Sequence, residues 1–163
     1  MNTCKWMVGA LLPVLILFLV GTACPSVDPD EGSVDNGRDF KAVISYPNES
    51  DVVTTVFFYD DFDAGSFSYY IDVDNGDGAD YLVTCFAGEF TVKQESPGSS
   101  GSFGLLKYRG TPTVSGQQYR LRFPLSALEL SMASPWELHY WFVEGIDGDR
   151  MPDSGYEILV NLM

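Results

Sequence analysis

Alternation of apolar and polar residues dominates the chain from residue 40 onwards. Short segments rich in Val, Ile, Thr, Tyr and Phe are separated by clusters of Gly, Pro, Asn, Asp and Ser, a pattern typical of β-strands and turns. The segments are KAVISY, VVTTVFFY, SFSYYIDVD, DYLVTCF, EFTVKQE, GSFGLLKY, QQYRLRF, ELHYWFVEG and GYEILVNL. Residues 124–130, PLSALEL, are the one helical candidate, with Pro124 suited to a first turn. The pattern predicts an all-β domain over residues 40–163, an antiparallel β-sandwich of jelly-roll or immunoglobulin-like type with at most one short helix.

The period of two assigns the residues of each strand to a core face or a solvent face. In QQYRLRF it turns Arg120 and Arg122 outward, and in ELHYWFVEG it places His139 and Trp141 opposite the apolar set. In SFSYYIDVD, Tyr70 lies on the side away from the core.

If these strands are neighbours, one outward surface combines aromatic and hydrogen-bonding side chains, which suits a sugar ring whose C–H face stacks on an indole. The candidate ligand-binding residues are Tyr70, Arg120, Arg122, His139 and Trp141. The alternative is that Trp141 packs against the second layer of the sandwich or a loop.

Aspartates cluster where SFSYYIDVD turns into DYLVTCF through an Asn-Gly tight-turn signal. Close carboxylates repel one another by about 1 kcal/mol per pair even in water, and a hard cation such as Ca²⁺ reverses that term. The candidate metal ligands are Asp72, Asp74, Asp77 and Asp80.

The spacing of these aspartates does not match an EF-hand. With Asp72 as the first position, Gly76 falls at the fifth and Val83 replaces the glutamate at the twelfth. Two interpretations stay open: a calcium site of another kind, to which the acidic turn EGIDGDRMPDSG could add ligands, or a solvated turn.

The N-terminus predicts export and a lipid anchor. Lys5 precedes an apolar run over residues 7–20, too short for a membrane-spanning helix, so residues 1–23 read as a signal peptide. The run ends in GTAC at residues 21–24, which resembles the lipobox of bacterial lipoproteins, although Gly21 stands where an aliphatic residue is usual. In that family the peptidase cuts before the cysteine, here Cys24, whose thiol receives diacylglycerol.

The residues after Cys24 are rich in proline, glycine, serine and acid, so residues 24–39 are predicted to be a flexible acidic tether of about 20 Å. The mature chain then keeps one cysteine, Cys85, which shares a strand face with Tyr81 and Val83. It is therefore expected to be a buried apolar residue without a disulfide partner.

Charge excludes one class of partner. Removing residues 1–23 takes away Lys5 and no acid, leaving 8 basic against 23 acidic side chains, a net charge of −15. Nucleic-acid binding requires the opposite sign, so no nucleic-acid partner is expected.

The order of the segments, from IDVDNGDGADY through YRLRFPLSALEL to WELHYWFVEG and DGDRMPDSG, resembles the DOMON-like superfamily, which includes the family-nine carbohydrate-binding modules. The resemblance covers most of residues 40–163. It implies an antiparallel β-sandwich that binds sugar or, in the cytochrome branch, haem. The haem branch needs an axial Met and His, and His139 is the only histidine in the chain.

Motifs of catalysis are absent from the sequence: there is no CxxC, HExxH or glycine-rich phosphate loop, so the protein is not expected to be an enzyme. The sequence predicts a lipid-anchored, exported binding module facing periplasm or cell exterior, carbohydrate-binding and calcium-stabilised. The alternative is a structural or protein-interaction envelope lipoprotein without a small-molecule ligand.

Overall fold

The chain folds into an all-β sandwich of two antiparallel sheets. The computed structural model describes residues 26–27, 40–59, 66–74, 76, 78–133, 135–143 and 157–161. The strands are β1 (Ser26–Val27), β2 (Phe40–Asn48), β3 (Asp51–Phe58), β4 (Ser66–Asp72), β5 (Tyr81–Phe86), β6 (Glu89–Glu95), β7 (Phe103–Gly110), β8 (Thr113–Ser115), β9 (Gln118–Pro124), β10 (Trp136–Val143) and β11 (Glu157–Asn161). A single 3₁₀ turn, Leu125–Leu128, is the helical element of these residues.

The strands divide into a five-stranded sheet, ordered β1-β2-β3-β9-β8, and a six-stranded sheet, ordered β11-β10-β4-β5-β6-β7. Every pairing between the described strands is antiparallel. The chain crosses from the first sheet to the second after β3 and returns after β7.

The core lies between the sheets and is built from alternate residues of each strand. Tyr69 and Ile71 of β4 are fully buried, and so are Leu121 and Phe123 of β9. Aromatic rings cross the interface: the centroids of Phe67 and Tyr119 lie 5.9 Å apart in an edge-to-face arrangement. Such pairs add about 0.5–1.5 kcal/mol to the free energy of burial.

A buried hydrogen-bonded group also connects the two sheets. The hydroxyls of Ser45 and Thr54 lie 3.0 Å apart within the five-stranded sheet, and Tyr69 of the other sheet donates to Thr54 Oγ1 at 3.5 Å. Burial raises the pKa of Tyr69 well above its usual range, so the phenol stays protonated and serves as the donor. This hydrogen bond stabilises the relative position of the two sheets, because a buried hydroxyl without a hydrogen-bond partner would lower the free energy of unfolding.

The predicted fold class is confirmed, and each of the nine predicted segments contains a strand. The predicted helix is shorter than expected, since Pro124 ends β9 and only Leu125–Leu128 turns as a 3₁₀ helix. Two strands were not predicted, β1 and β8. Both strands are very short, so the alternation of apolar and polar residues cannot be recognised in them. They are held in the sheet by backbone hydrogen bonds, which the side-chain pattern does not predict.

Strand β1 lies within residues 24–39, which the sequence predicts to be a flexible tether. Ser26 and Val27 pair with Val43 and Ala42 of β2, so part of residues 24–39 belongs to the five-stranded sheet. In the part of the chain that the structure describes, no helix has the length and apolarity needed to cross a bilayer.

Candidate metal and ligand site

Three carboxylates converge at the turn between β4 and β5. Asp72 is the last residue of β4, Asp74 lies in the turn, and Asp80 directly precedes β5. One carboxylate oxygen from each lies within 4.8 Å of the others, a spacing that could hold a metal ion. The sequence predicted this cluster because β4 and β5 are adjacent and joined by a turn. Asp77, the fourth predicted ligand, lies outside the described residues.

Backbone N–H groups of the turn hold these carboxylates in place. Val73 N–H donates to Asp80 Oδ2 at 2.8 Å, and Asp74 N–H donates to Asp72 Oδ1 at 3.0 Å. The Asp80 peptide is fixed at both ends, because its N–H donates to Ile71 O and its carbonyl accepts from Glu95 N–H. The carboxylates are therefore oriented by the fold before any ion arrives.

A side chain at position 76 would displace the exposed Asp74 carboxylate from its present position. Gly76 N–H donates to Asp74 Oδ1 at 2.8 Å, and a Cβ at this position would lie 2.6 Å from the same oxygen. The Asn-Gly signal in the sequence thus marks a turn shaped around a carboxylate.

Burial differs strongly among the three acids. Asp72 is 1% exposed, Asp80 is half-buried and Asp74 is exposed. Burial raises the pKa of the Asp80 carboxyl above its ordinary value; the hydrogen bond from Val73 opposes this rise, while the charges of Asp74 and Asp72 add to it. Burial and the neighbouring negative charges therefore favour the protonated form of Asp80, and the same charges would favour a cation at the cluster.

His139 lies beside this cluster but is not a surface residue, as the sequence predicted it to be. In β10 it pairs in register with Asp72 of β4, and it is 4% exposed. Its Nε2 lies 2.9 Å from Glu137 Oε1. The alternation of the strand predicted the correct side of the sheet for His139. Both His139 and its partner Asp72 are buried, however, so His139 is a neighbour of the acidic cluster and not an exposed ligand contact.

Tyr70 and Trp141 form the next cross-strand row on the same sheet. They pair in register between β4 and β10, and the row continues through Leu82 of β5 and Lys93 of β6 to Leu106 of β7. The Tyr70 ring is half-buried and lies 5.4 Å from the ring of Phe103, centroid to centroid. Phe103 was missed by the sequence analysis, because its contact with Tyr70 spans strands distant in the chain.

Arg120 and Arg122 do not join this surface. Strand β9 pairs with β3 and β8 in the five-stranded sheet, whereas β10 lies in the six-stranded sheet. The predicted outward orientation is correct, since both arginines are exposed. The expected single surface with His139 and Trp141 is wrong, because the strands that would have to be neighbours belong to different sheets.

Each arginine instead has a partner on its own sheet. Arg120 Nη2 donates to Tyr46 Oη at 2.6 Å, and the guanidinium lies 6.0 Å from the ring centroid of that tyrosine. Arg122 forms a salt bridge with Asp51 across β9 and β3. These contacts explain both residues structurally without a ligand.

The remaining predicted residues are the two cysteines. Cys85 is buried in the core beside Val83, as expected, and burial raises the pKa of its thiol to about 12. Cys24 lies outside the described residues.

Comparison with protein-family models, curated proteins and solved structures finds no match to the chain. The structure therefore shows an all-β sandwich in which three carboxylates, at the turn between β4 and β5, could hold a metal ion.

Proposed function

We propose that this chain is a lipid-anchored extracytoplasmic binding module that holds Ca²⁺ at the β4–β5 turn and binds carbohydrate on the adjacent face. The observation that carries the proposal is the convergence of Asp72, Asp74 and Asp80, whose oxygens lie within 4.8 Å of one another. The location rests on the lipobox-like GTAC that ends at Cys24.

Calcium is favoured as the ion because the three side chains that converge on one point, Asp72, Asp74 and Asp80, all offer carboxylate oxygens. Ca²⁺ takes six to eight oxygen ligands in flexible geometry, and water commonly completes the set. Asp74 is exposed, so water can reach the cluster, while Asp72 is buried.

The carbohydrate proposal rests on the aromatic row beside the cluster. Tyr70 is half-buried, so part of its ring faces solvent, and Trp141 occupies the paired position on the neighbouring strand. Aromatic rings next to fixed polar groups are suited to sugars, whose faces are apolar and whose edges carry hydroxyls. Tyr70 and Asp72 lie two residues apart on β4, about 7 Å at the usual rise of a strand. The resemblance to the family-nine carbohydrate-binding modules points to the same ligand class.

A glycan array tests this function directly. The chain from residue 25, which retains β1, is applied in a buffer with Ca²⁺ and in one with EDTA. Binding that EDTA abolishes would unite the acidic cluster and the aromatic row in one calcium-dependent site. Binding that survives EDTA would keep the sugar function and reduce the ion to a structural role. An absence of binding in both buffers would contradict the carbohydrate proposal.

A pair of tyrosine variants localises the binding. Tyr70→Ala removes the ring of the proposed site, whereas Tyr46→Ala removes a half-buried tyrosine from the outer face of the other sheet. We expect the first variant to lose glycan binding and the second to retain it. Equal losses in the two variants would place the sugar elsewhere.

A second function, docking to an envelope protein, is favoured by one observation. Strand β7 ends the described six-stranded sheet, and its Leu105 and Leu106 are 50% and 48% exposed. Apolar side chains on a sheet edge suit an added strand from a partner. Photo-crosslinking from position 106 in cells would identify such a protein, and the absence of any adduct would contradict this function.

A further inference from the structure

The first described residues of the mature chain are part of the fold. Ser26 and Val27 form β1, which pairs with Val43 and Ala42 on the outer edge of β2. Cys24 precedes Ser26 by two residues, and two extended residues span at most about 7 Å. If Cys24 carries a lipid, as the proposed function holds, the anchor is attached close to the edge of the five-stranded sheet and no long spacer separates them.

The outer face of that sheet is basic and aromatic. Its described charged residues are Lys41, Arg120, Arg122 and Asp51, and Glu49 in the turn between β2 and β3 adds a second acid near Arg122, so the bases outnumber the acids by three to two. Two tyrosines accompany them: Arg120 donates to Tyr46, and Lys41 Nζ lies 5.2 Å from the ring centroid of Tyr59. Arginine, lysine and tyrosine are the residues that favour the headgroup layer of a bilayer.

The outer face of the six-stranded sheet has the opposite character. It holds the acidic cluster of Asp72, Asp74 and Asp80 at one end. Its other outward acids in the described strands are Glu89, Glu95 and Glu137, against Lys93 and Arg109. A bilayer with a negative surface potential repels this face.

We propose that the lipid-anchored chain lies with the outer face of its five-stranded sheet on anionic phospholipid headgroups. The short link to Cys24 brings one edge of the sandwich to the bilayer. The charge difference between the two outer faces then determines which face contacts the headgroups. Because screening in physiological salt acts over about 8 Å, only a directly apposed face gains from this attraction. The exposed Asp74 and the half-buried Tyr70 consequently lie on the face directed away from the membrane. The inference rests on the lipid anchoring in the proposed function.

Two cysteine variants report which outer face of the sandwich contacts the bilayer. Thr113 pairs with Arg120 and is exposed on the outer face of the five-stranded sheet, whereas Leu106 pairs with Lys93 on the outer face of the six-stranded sheet. Strands β8 and β7 carry these residues on the same side of the sandwich, remote from β1 in sheet order. Thr113→Cys and Leu106→Cys therefore lie on opposite outer faces of the sandwich, and they differ less in their distance from the anchor.

The full chain is expressed with its own leader and reconstituted in vesicles of phosphatidylcholine and phosphatidylglycerol in equal parts. A fluorophore is attached to each introduced thiol, and its quenching by nitroxide-labelled headgroups is measured. Cys85 does not interfere, since it is buried in the core. We expect strong quenching at position 113 and weak quenching at position 106. Equal quenching, or stronger quenching at 106, would overturn the orientation.

A charge-matched pair of double variants tests the cause. Lys41→Gln with Arg120→Gln removes two bases from the proposed membrane face, and Lys93→Gln with Arg109→Gln removes two from the other face. Each base near an anionic surface contributes about a fivefold preference, so the first pair should lower the preference for the five-stranded face by roughly 25-fold, and the ratio of quenching at 113 to that at 106 should fall. The second pair should leave the ratio unchanged. Equal effects of both pairs would overturn the electrostatic selection of the face.

Mass spectrometry of the purified chain separates this inference from the function on which it rests. A diacylglyceryl thioether at Cys24 together with equal quenching of both reporters overturns the orientation alone. A chain that keeps its leader, or lacks the lipid, overturns the proposed anchoring and the orientation with it.

Discussion

The two outer faces of the sandwich arrange their charges in opposite ways. On the five-stranded sheet, Arg122 and Asp51 form an ion pair across neighbouring strands. On the six-stranded sheet, Asp72, Asp74 and Asp80 bring like charges within 4.8 Å of one another. The charges of Arg122 and Asp51 compensate one another, whereas the three aspartates could hold a metal ion.

The difference shows why charge alone does not identify a site. Both faces carry charged residues at outward positions of strands. The sequence predicted the two arginines as ligand contacts together with Tyr70, His139 and Trp141 of the other sheet. Among the described residues, Asp72, Asp74 and Asp80 place like charges within 4.8 Å of one another, and backbone N–H groups hold Asp72 and Asp80 in position. A function that depends on an ion is therefore sought at the second face and not at the first.

Calcium should give the largest contrast between the faces. At a concentration about one hundred times its Kd, a bound ion raises the free energy of unfolding by about 2.7 kcal/mol. Asp80→Asn should remove most of this increase, because it takes a charged ligand from the cluster. The measurement is urea unfolding in Ca²⁺ and in EDTA. Asp51→Asn, the same substitution on the other face, is the control and should keep the full increase. An increase as large in Asp80→Asn as in the unsubstituted chain would place the ion at another site.

Without calcium, the same two substitutions should change stability in opposite directions. In EDTA, Asp80→Asn should raise the free energy of unfolding by at most about 1 kcal/mol, since it relieves repulsion in a site that water partly screens. The amide oxygen can still accept from Val73 N–H. Asp51→Asn should lower stability slightly, because Arg122 loses its partner, and added salt should diminish that loss. Two changes of the same sign would contradict the contrast between the faces.

Local sequence patterns predicted much of both faces. Alternation placed Arg120 and Arg122 in solvent and Leu121 in the core, as observed. The prediction that two consecutive segments pair across a turn placed Asp72 near Asp80, and β4 and β5 do pair up to Ile71 and Tyr81. These predictions required only the period of a strand and the chemistry of one turn.

The relations between distant strands could not be predicted in this way. That β9 pairs with β3 and β10 with β4 depends on the path of the whole chain, and it separates Arg120 from His139. The burial of His139 likewise depends on its position opposite Asp72. Strand β1 is held by backbone pairing, so the composition of residues 24–39 indicated a tether where part of the chain is a strand.

The smallest expected contrast is in the pH dependence of stability. Burial raises the pKa of Asp80 in the folded chain above its ordinary value of 3.8, so the folded state binds this proton at pH values where the unfolded state has lost it. Its contribution to stability is therefore fully present below that value and is lost as pH rises through the raised folded pKa. If Ca²⁺ binds the deprotonated carboxylate as proposed, it lowers the folded pKa and reverses the sign, so that stability is then lost as pH falls.

Urea unfolding across this pH range, in EDTA and in Ca²⁺, measures both slopes. Subtracting the values for Asp80→Asn isolates the contribution of this carboxylate from those of the other acids, and the difference should stay below about 1 kcal/mol because water reaches the site. Asp51→Asn should preserve the reversal, since it leaves the cluster intact. If the isolated slope has the same sign in both buffers, Asp80 does not contact the ion. The aspartates would then be a solvated turn, and the two faces would differ in sequence but not in function.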